Sequence, residues 1–318
     1  MHRIARQSHR SIYRPWCSPG QNISRNPSRI SAYVYYRAYH TTTISSETVP
    51  QLEARNLDYA NQLCHVRSVA EHLQQYGILK INLGFSDDSS EYLENLLLSL
   101  HEHHGHQLPL THSATRGWFW DVRPNATDFP TRSYRARSET MEEFPWHTDC
   151  SYEDPPPRYF ALHVLQHDRF GGGTLSVLNV ERLSQLLSPE TRVQLSRPEY
   201  QIMIPPEFTK DPARRYILGS LLMSDESGRS SIMRFREDIL MPVSPPASKA
   251  LSELKQALKS AEAQSYSTIH LTSSDLPQNT IIVLDNRRWL HSRNEIQDSE
   301  RHLRRVRWDA VPFQASSK

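Results

Sequence analysis

Cysteine is nearly absent: Cys17, Cys64 and Cys150 are the only three in 318 residues. Thiols so few and so scattered exclude a disulfide framework and point to a reducing compartment. Long apolar runs are missing as well. The mean hydropathy is −0.65, and no uninterrupted apolar stretch approaches the roughly 20 residues of a membrane-spanning helix. No membrane partner is expected. Acidic residues are missing from the amino terminus, where the first is Glu47, while arginines stand at 3, 6, 10, 14, 25, 29 and 37. An Arg- and Ser-rich opening with neither acids nor an apolar core is unlike a secretory signal and has the pattern of a mitochondrial transit peptide. Arg37-Ala38-Tyr39 resembles a matrix-processing site, with cleavage after Tyr39. Removing residues 1–39 takes away 7 of the 37 basic residues and none of the 35 acidic ones, turning the formal charge from +2 to −5. The basic excess belongs to the leader, so no nucleic-acid partner is expected. The expected location is the mitochondrial matrix; a disordered basic tail on a cytoplasmic protein is the plainer alternative.

Residues 40–75 read as an extension with a helix, and 76–314 as a single domain. At 37% hydrophobic and 23% charged, the chain can bury one sizeable core. No internal repeat is visible. A short helix over 68–75, capped by Gly77, leads into a first strand at 78–81. Residues 89–101 read as a helix with the apolar stripe Leu93, Leu96, Leu97 and Leu100. Strands are expected around 115–122 and over 159–165. Between them the polar, Arg-rich stretch 123–143 reads as a lid, and Pro155-Pro156-Pro157 breaks the chain. After Pro245-Pro246 a helix over 247–264 buries Leu251, Leu254 and Leu258.

The chemistry starts at His147-Thr148-Asp149. In an extended strand residues i and i+2 share a face, so His147 and Asp149 can hold one metal ion while Thr148 turns away. His291 must join them from another strand. Two imidazoles and a carboxylate on one octahedral face suit Fe(II) and leave three positions for a chelating co-substrate and dioxygen. With 16 His and 35 acidic residues in the chain, the H-x-D spacing alone carries little weight; its surroundings carry more. Residues 280–284 form a β-branched apolar run typical of a buried strand, and Asp285-Asn286 reads as a turn presenting Arg287, Trp289 and His291 on one side. Gly171-Gly172-Gly173 frees the backbone to bend before a strand opened by Thr174. Arg301, Leu303 and Arg305 share a strand face, and a guanidinium fork suits bidentate grip of a carboxylate.

Four segments in order, Trp146-His147-Thr148-Asp149, the Gly-Gly-Gly-Thr ending at Thr174, Leu284-Asp285-Asn286-Arg287 ahead of His291, and Arg-x-Leu-x-Arg at 301–305, resemble the taurine dioxygenase family, relatives of clavaminate synthase. The similarity runs from about residue 76 to 308. It implies a mainly β fold with flanking helices, a double-stranded β-helix (jelly roll, cupin-like). It also implies Fe(II) on His147, Asp149 and His291, with 2-oxoglutarate and O2 as co-substrates. Thr174 and Arg301 would hold the distal carboxylate of 2-oxoglutarate, and Arg305 would reach an anionic substrate. A helical insertion is expected between the two halves of the metal site. The implied reaction hydroxylates or desaturates a small anionic or zwitterionic molecule and releases succinate and CO2. Because Asp149 is present, hydroxylation is favoured over the halogenation of relatives that lack this carboxylate. A carnitine-pathway-type hydroxylase is an alternative, but its amino-terminal zinc module needs more thiols than Cys17 and Cys64 supply. A catalytically silent β-helix binding protein is the other. The oligomeric state is not legible.

Other residues have two readings each. Trp146 is a candidate substrate contact, and it, Trp118 and Trp120 serve equally well as core. His101, His103, His104 and His106 crowd a helix end, where histidines bind zinc or simply complement the helix dipole. His163 and His167 are ligands or packing residues, and Arg234-Phe235-Arg236 faces either the pocket or solvent. Cys150 reads as a small packing residue turned from the metal.

Overall fold

The computed structural model describes residues 49–111, 117–124, 136–209, 211, 213–225 and 228–313. The expected leader at 1–39, residues 112–116 before the third strand, and 125–135 of the expected lid lie outside the described residues. In chain order the elements are β1 (Gln51–Ala54), α1 (Leu63–Tyr76), β2 (Ile78–Leu83), α2 (Glu91–His104), β3 (Trp120–Val122), β4 (Phe144–His147), β5 (Pro157–Gln166) and β6 (Leu175–Asn179). An insertion follows: α3 (Val180–Gln185), α4 (Pro189–Leu195), β7 (Tyr200–Met203), β8 (Tyr216–Gly219), β9 (Leu222–Ser224), β10 (Ser230–Met233), β11 (Leu240–Pro242) and α5 (Pro245–Leu258). The chain then returns through β12 (Thr268–Leu271), β13 (Thr280–Asp285), β14 (Trp289–Arg293) and β15 (His302–Ala310).

Two sheets make the body, a six-stranded one in the order β1-β2-β13-β5-β15-β3 and a four-stranded one in the order β12-β6-β14-β4. Between them lies one core, with Phe160, Leu162 and Val164 of β5 packed in the same cluster as Leu175 and Val177 of β6. This is the jelly-roll sandwich implied by the resemblance. Strand β13 shows why its sequence is unbroken in apolarity. Ile282 and Leu284 point into the inter-sheet core, while Ile281 and Val283 point to the opposite face, where α1 and α2 pack. A strand covered on both faces has no polar alternation to display.

The helices end for local reasons. Gly77 closes α1 at φ 68, its N–H bonded to Leu73 O at 3.0 Å, a left-handed cap that glycine adopts without strain. Asp87 holds the start of α2 by accepting from the N–H groups of Glu91 and Tyr92 at 2.8 and 2.9 Å. The helix after Pro245 buries Leu251, Leu254 and Leu258 but stops at Leu258, short of 264, where a π turn over Ala263–Ser267 takes over. The insertion is mixed and not purely helical. Its three-stranded sheet β11-β7-β8 and the β9-β10 pair share a core with α5, and this core also takes Leu178 and Leu290 from the outer face of the four-stranded sheet.

Two buried histidines make the fold acid-sensitive. His65 Nε2 lies 2.6 Å from Tyr92 Oη, and His163 Nδ1 lies 2.9 Å from Ser90 Oγ with the residue fully buried. Burial pulls both below the ordinary 6.5, to about 4. The unfolded chain therefore binds more protons between these values. The stability from burying neutral rings is complete above pH 6.5 and is lost as pH falls toward about 4, at about 1.4 kcal/mol per unit for each ring. Thermal melts across this window should show the midpoint falling with acid, less steeply in His163→Gln. An equal slope in that variant would refute the assignment.

Candidate active site

His147 closes β4 and sits directly across the ladder from His291 in β14, with ring centroids 4.1 Å apart. Asp149 does not share their sheet. The strand stops at His147 because the next N–H groups bond elsewhere: Thr148 N–H reaches Phe235 O at 2.7 Å, and Asp149 N–H reaches the Asn286 side chain at 2.7 Å. The picture of one strand presenting both ligands on one face is corrected to a strand end plus a turn. Asn286 holds that turn. It is 1% exposed, and its amide also donates to Asp149 O at 2.9 Å and Pro157 O at 3.0 Å. From the sequence it reads as a turn residue, and nothing local signals that its side chain supports a residue 137 positions away.

Asp149 Oδ1 lies 3.8 Å from His147 Nε2 and 3.7 Å from His291 Nε2. One ligand atom from each of the three residues falls within 4.8 Å of the others, and no other such trio occurs among the described residues. The histidines at 101–106 do not form one: His101 Nδ1 pairs with His106 O at 2.6 Å, and Trp308 donates to His106 Nδ1 at 3.0 Å. His163 turns toward Ser90, away from the trio.

Protonation favours metal binding. His147 Nδ1 lies 2.7 Å from Pro145 O, an atom that only accepts, so the proton sits on Nδ1 and the Nε2 lone pair is free for a cation. Burial and the neighbouring His291 hold its pKa well below the ordinary 6.5, which keeps the ring neutral. For Asp149, burial alone pushes the pKa upward, but Arg305, His291 and Arg307 together outweigh it and hold the carboxyl well below the usual range. Arg305 Nη1 stands 3.2 Å from Asp149 Oδ2. Sulfur-free, buried, intermediate-to-hard donors of this kind fit Fe(II).

On one side of the trio opens a cavity of about 50 Å³, walled by Phe144, Phe160, Leu162, Leu175 and Leu303 and carrying three arginines, Arg293, Arg301 and Arg305. Arg301 is 5% exposed. Its Nη2 donates to Gly173 O at 3.4 Å, and its buried Nη1 has no hydrogen-bond partner. Burial and the nearby Arg293 lower its pKa to about 10, which still leaves a cation at neutral pH. A buried guanidinium with an open donor calls for an anion, and a carboxylate of 2-oxoglutarate fits. Gly173 permits this arrangement: its φ is +66, and a Cβ there would lie 2.6 Å from Arg301 Nε. Thr174 immediately precedes β6 beside it, its N–H bonded to Asn294 Oδ1 at 2.6 Å.

The residues at 301, 303 and 305 do share the cavity face, while Arg304 turns outward to Asp121 at 3.0 Å. Phe144, not Trp146, lines the cavity. A bulge in β4 pairs Phe144 with Arg293 where regular spacing would place Pro145. The extra residue puts Phe144 on the His147 face, stacked on its ring at 3.6 Å, and Trp146 packs against the insertion core. Trp118 and Trp120 pack against the other two cores. Period-two reading misses such a shift because a bulge inverts the faces beyond it.

Next to it, also bordered by His147 and Asp149, lies a second compartment of about 30 Å³ whose wall includes Arg137, Arg236, Arg305, Arg307, Tyr152 and Phe208. Arg236 enters it while paired with Asp238 at 2.8 Å. Phe235 is buried in the insertion core, and Arg234 lies over the Phe313 ring at 4.6 Å. Cys150 is buried in the insertion core, against Arg307.

Residues 44–307 match the sequence model of the taurine catabolism dioxygenase TauD, TfdA family. The chain belongs to this family. It is similar to an alpha-ketoglutarate-dependent sulfonate dioxygenase of Saccharomyces cerevisiae, 30% identical over 115 residues, which are 34% of this chain and 26% of that protein. The match thus spans about a quarter of that relative's length. Among solved structures, asparagine oxygenase in complex with Fe(II), 2S,3S-3-hydroxyasparagine and succinate superposes with a TM-score of 0.58 at 17% identity, over 81% of this chain and 92% of that one. The non-heme iron oxygenase OrfP with Fe and alpha-ketoglutaric acid gives 0.59 at 19% identity, over 83% and 95%. At these identities the likeness establishes a shared fold, the family's jelly roll.

Proposed function

We propose that this protein is an Fe(II)- and 2-oxoglutarate-dependent dioxygenase that hydroxylates a small anionic or zwitterionic molecule, with release of succinate and CO2. One observation carries the reading: a buried His147-Asp149-His291 trio within 4.8 Å opens on the same cavity as a buried guanidinium with an open donor. Iron bound there supplies dioxygen activation and the oxidative decarboxylation of 2-oxoglutarate. The chain's own residues set the stage. Pro145 O fixes the His147 tautomer, Arg305 keeps Asp149 ionised, and Arg301 orients the co-substrate through its far carboxylate, an alignment the metal alone cannot impose. The apolar wall of Phe144, Phe160, Leu162, Leu175 and Leu303 keeps water from the reacting centre. The arginines of the second compartment favour a substrate with an acid group.

Anaerobic addition of 2-oxoglutarate to the Fe(II)-loaded protein should produce the weak visible charge-transfer band of the keto-acid chelate, and air should then give slow succinate formation. Folded, iron-loaded protein that shows neither would overturn the reading.

A further inference from the structure

Arg293 has no place in the chemistry so far. It lies two residues after His291 on β14 and so faces the same cavity. It is 8% exposed. Nη2 is held by two main-chain carbonyls, Thr140 O at 3.1 Å and Glu142 O at 2.7 Å. Nη1 is buried without a hydrogen-bond partner, as is Nη1 of Arg301. Neither guanidinium has an ion-pair partner among the described residues. Two cations more than nine-tenths buried therefore line one cavity, each with an open donor, and their mutual repulsion is felt at Arg301.

Placement says which anion they await. Across the ladder Arg293 faces Leu175, the residue after Thr174, and Asn294 ties itself to Thr174 by two bonds. Arg301 packs on Gly173. Of these two compartments Arg293 and Arg301 line only the first, Arg307 only the second, and Arg305 borders both. Arg305 is paired with Asp149. A carboxylate has about four lone-pair sites, enough to accept from two guanidinium groups at once.

Resting on the function proposed above, we infer that Arg293 is a second contact for 2-oxoglutarate, sharing its distal carboxylate with Arg301. The two carbonyls at Nη2 hold the guanidinium in position before the co-substrate arrives, so little side-chain freedom is lost on binding.

The test compares 2-oxoglutarate with 2-oxopentanoate, a keto acid of the same chain length without the distal carboxylate, titrated anaerobically into Fe(II)-loaded protein and followed by the chelate band. Wild type should bind 2-oxoglutarate much more tightly. Arg293→Gln should shrink that preference about tenfold, the worth of one charge-assisted contact, with 2-oxopentanoate binding unchanged. Arg293→Lys should restore only part of it, since one ammonium cannot hold both carbonyls and also reach the carboxylate. If Arg293→Gln does not fold, Arg293→Lys carries the comparison alone. An unchanged preference, or equal weakening of both keto acids, overturns the inference while the Arg301 contact and the dioxygenase reading stand. Absence of the band in wild type overturns that reading and this inference together.

Discussion

Asp149→Ala should bind no stoichiometric Fe(II) and form no succinate above background. The substitution removes the one anionic donor and leaves two neutral imidazoles, too few to hold a labile divalent ion. It also strips Arg305 of its partner, 3.2 Å away. An uncompensated buried guanidinium destabilises by about 3–5 kcal/mol, so the melting midpoint should fall as well. Asp149→Asn separates the two effects. Its amide oxygen still meets Arg305 in a site of the same shape, and the variant should stay folded yet bind iron weakly. Iron content per chain after anaerobic loading, with circular dichroism on the same samples, makes the check. Wild-type iron and turnover in either variant would remove Asp149 from the ligand set.

Arg301→Ala should raise the 2-oxoglutarate requirement by roughly 30- to 150-fold, the equivalent of about 2–3 kcal/mol for a charge-assisted bidentate contact. Turnover at saturating co-substrate should change much less, because the keto acid end is gripped elsewhere. Arg304→Ala is the control. That guanidinium points the other way, to Asp121 at 3.0 Å and Asp88 O at 2.8 Å, so its loss should leave the co-substrate requirement near wild type. Succinate formation against 2-oxoglutarate concentration reads both. If Arg304 and not Arg301 moved the requirement, the inward face of β15 would be misassigned.

Both predictions concern residues visible in the sequence, and their legibility has a physical origin. His147, Asp149 and His291 are chemically unusual in combination, and Arg301, Leu303 and Arg305 line one cavity as their spacing suggests, although Arg301 precedes β15 and the pairing of β15 with β5 shifts at His302/Leu303. Gly173 was legible as a bend, but its reason is the Arg301 side chain lying where a Cβ would be. Phe144 was not legible as a pocket residue, because the bulge in β4 brings it onto the His147 face, whereas Trp146, next to His147 and so on the other face, took the core role of its two readings. The family resemblance implies a helical insertion, and the apolar stripe of α5 agrees, whereas β7, β8 and β9 are 4, 4 and 3 residues long, too short for alternation to show.

The amino-acid sequence alone determined the identity and order of the chemical groups, the Gly77 cap, the buried strand β13 and, through the family resemblance, the reaction class. These follow from side-chain chemistry and from periodicities that act over a few residues. Only the tertiary structure decided which partner each group meets. Asn286 supports Asp149 from 137 positions away, Arg305 sits on the carboxylate of Asp149, and Arg293 reaches the cavity with one donor open. Such pairings depend on how two sheets are registered against each other, and a one-residue slip or bulge, invisible to local pattern, reassigns them all.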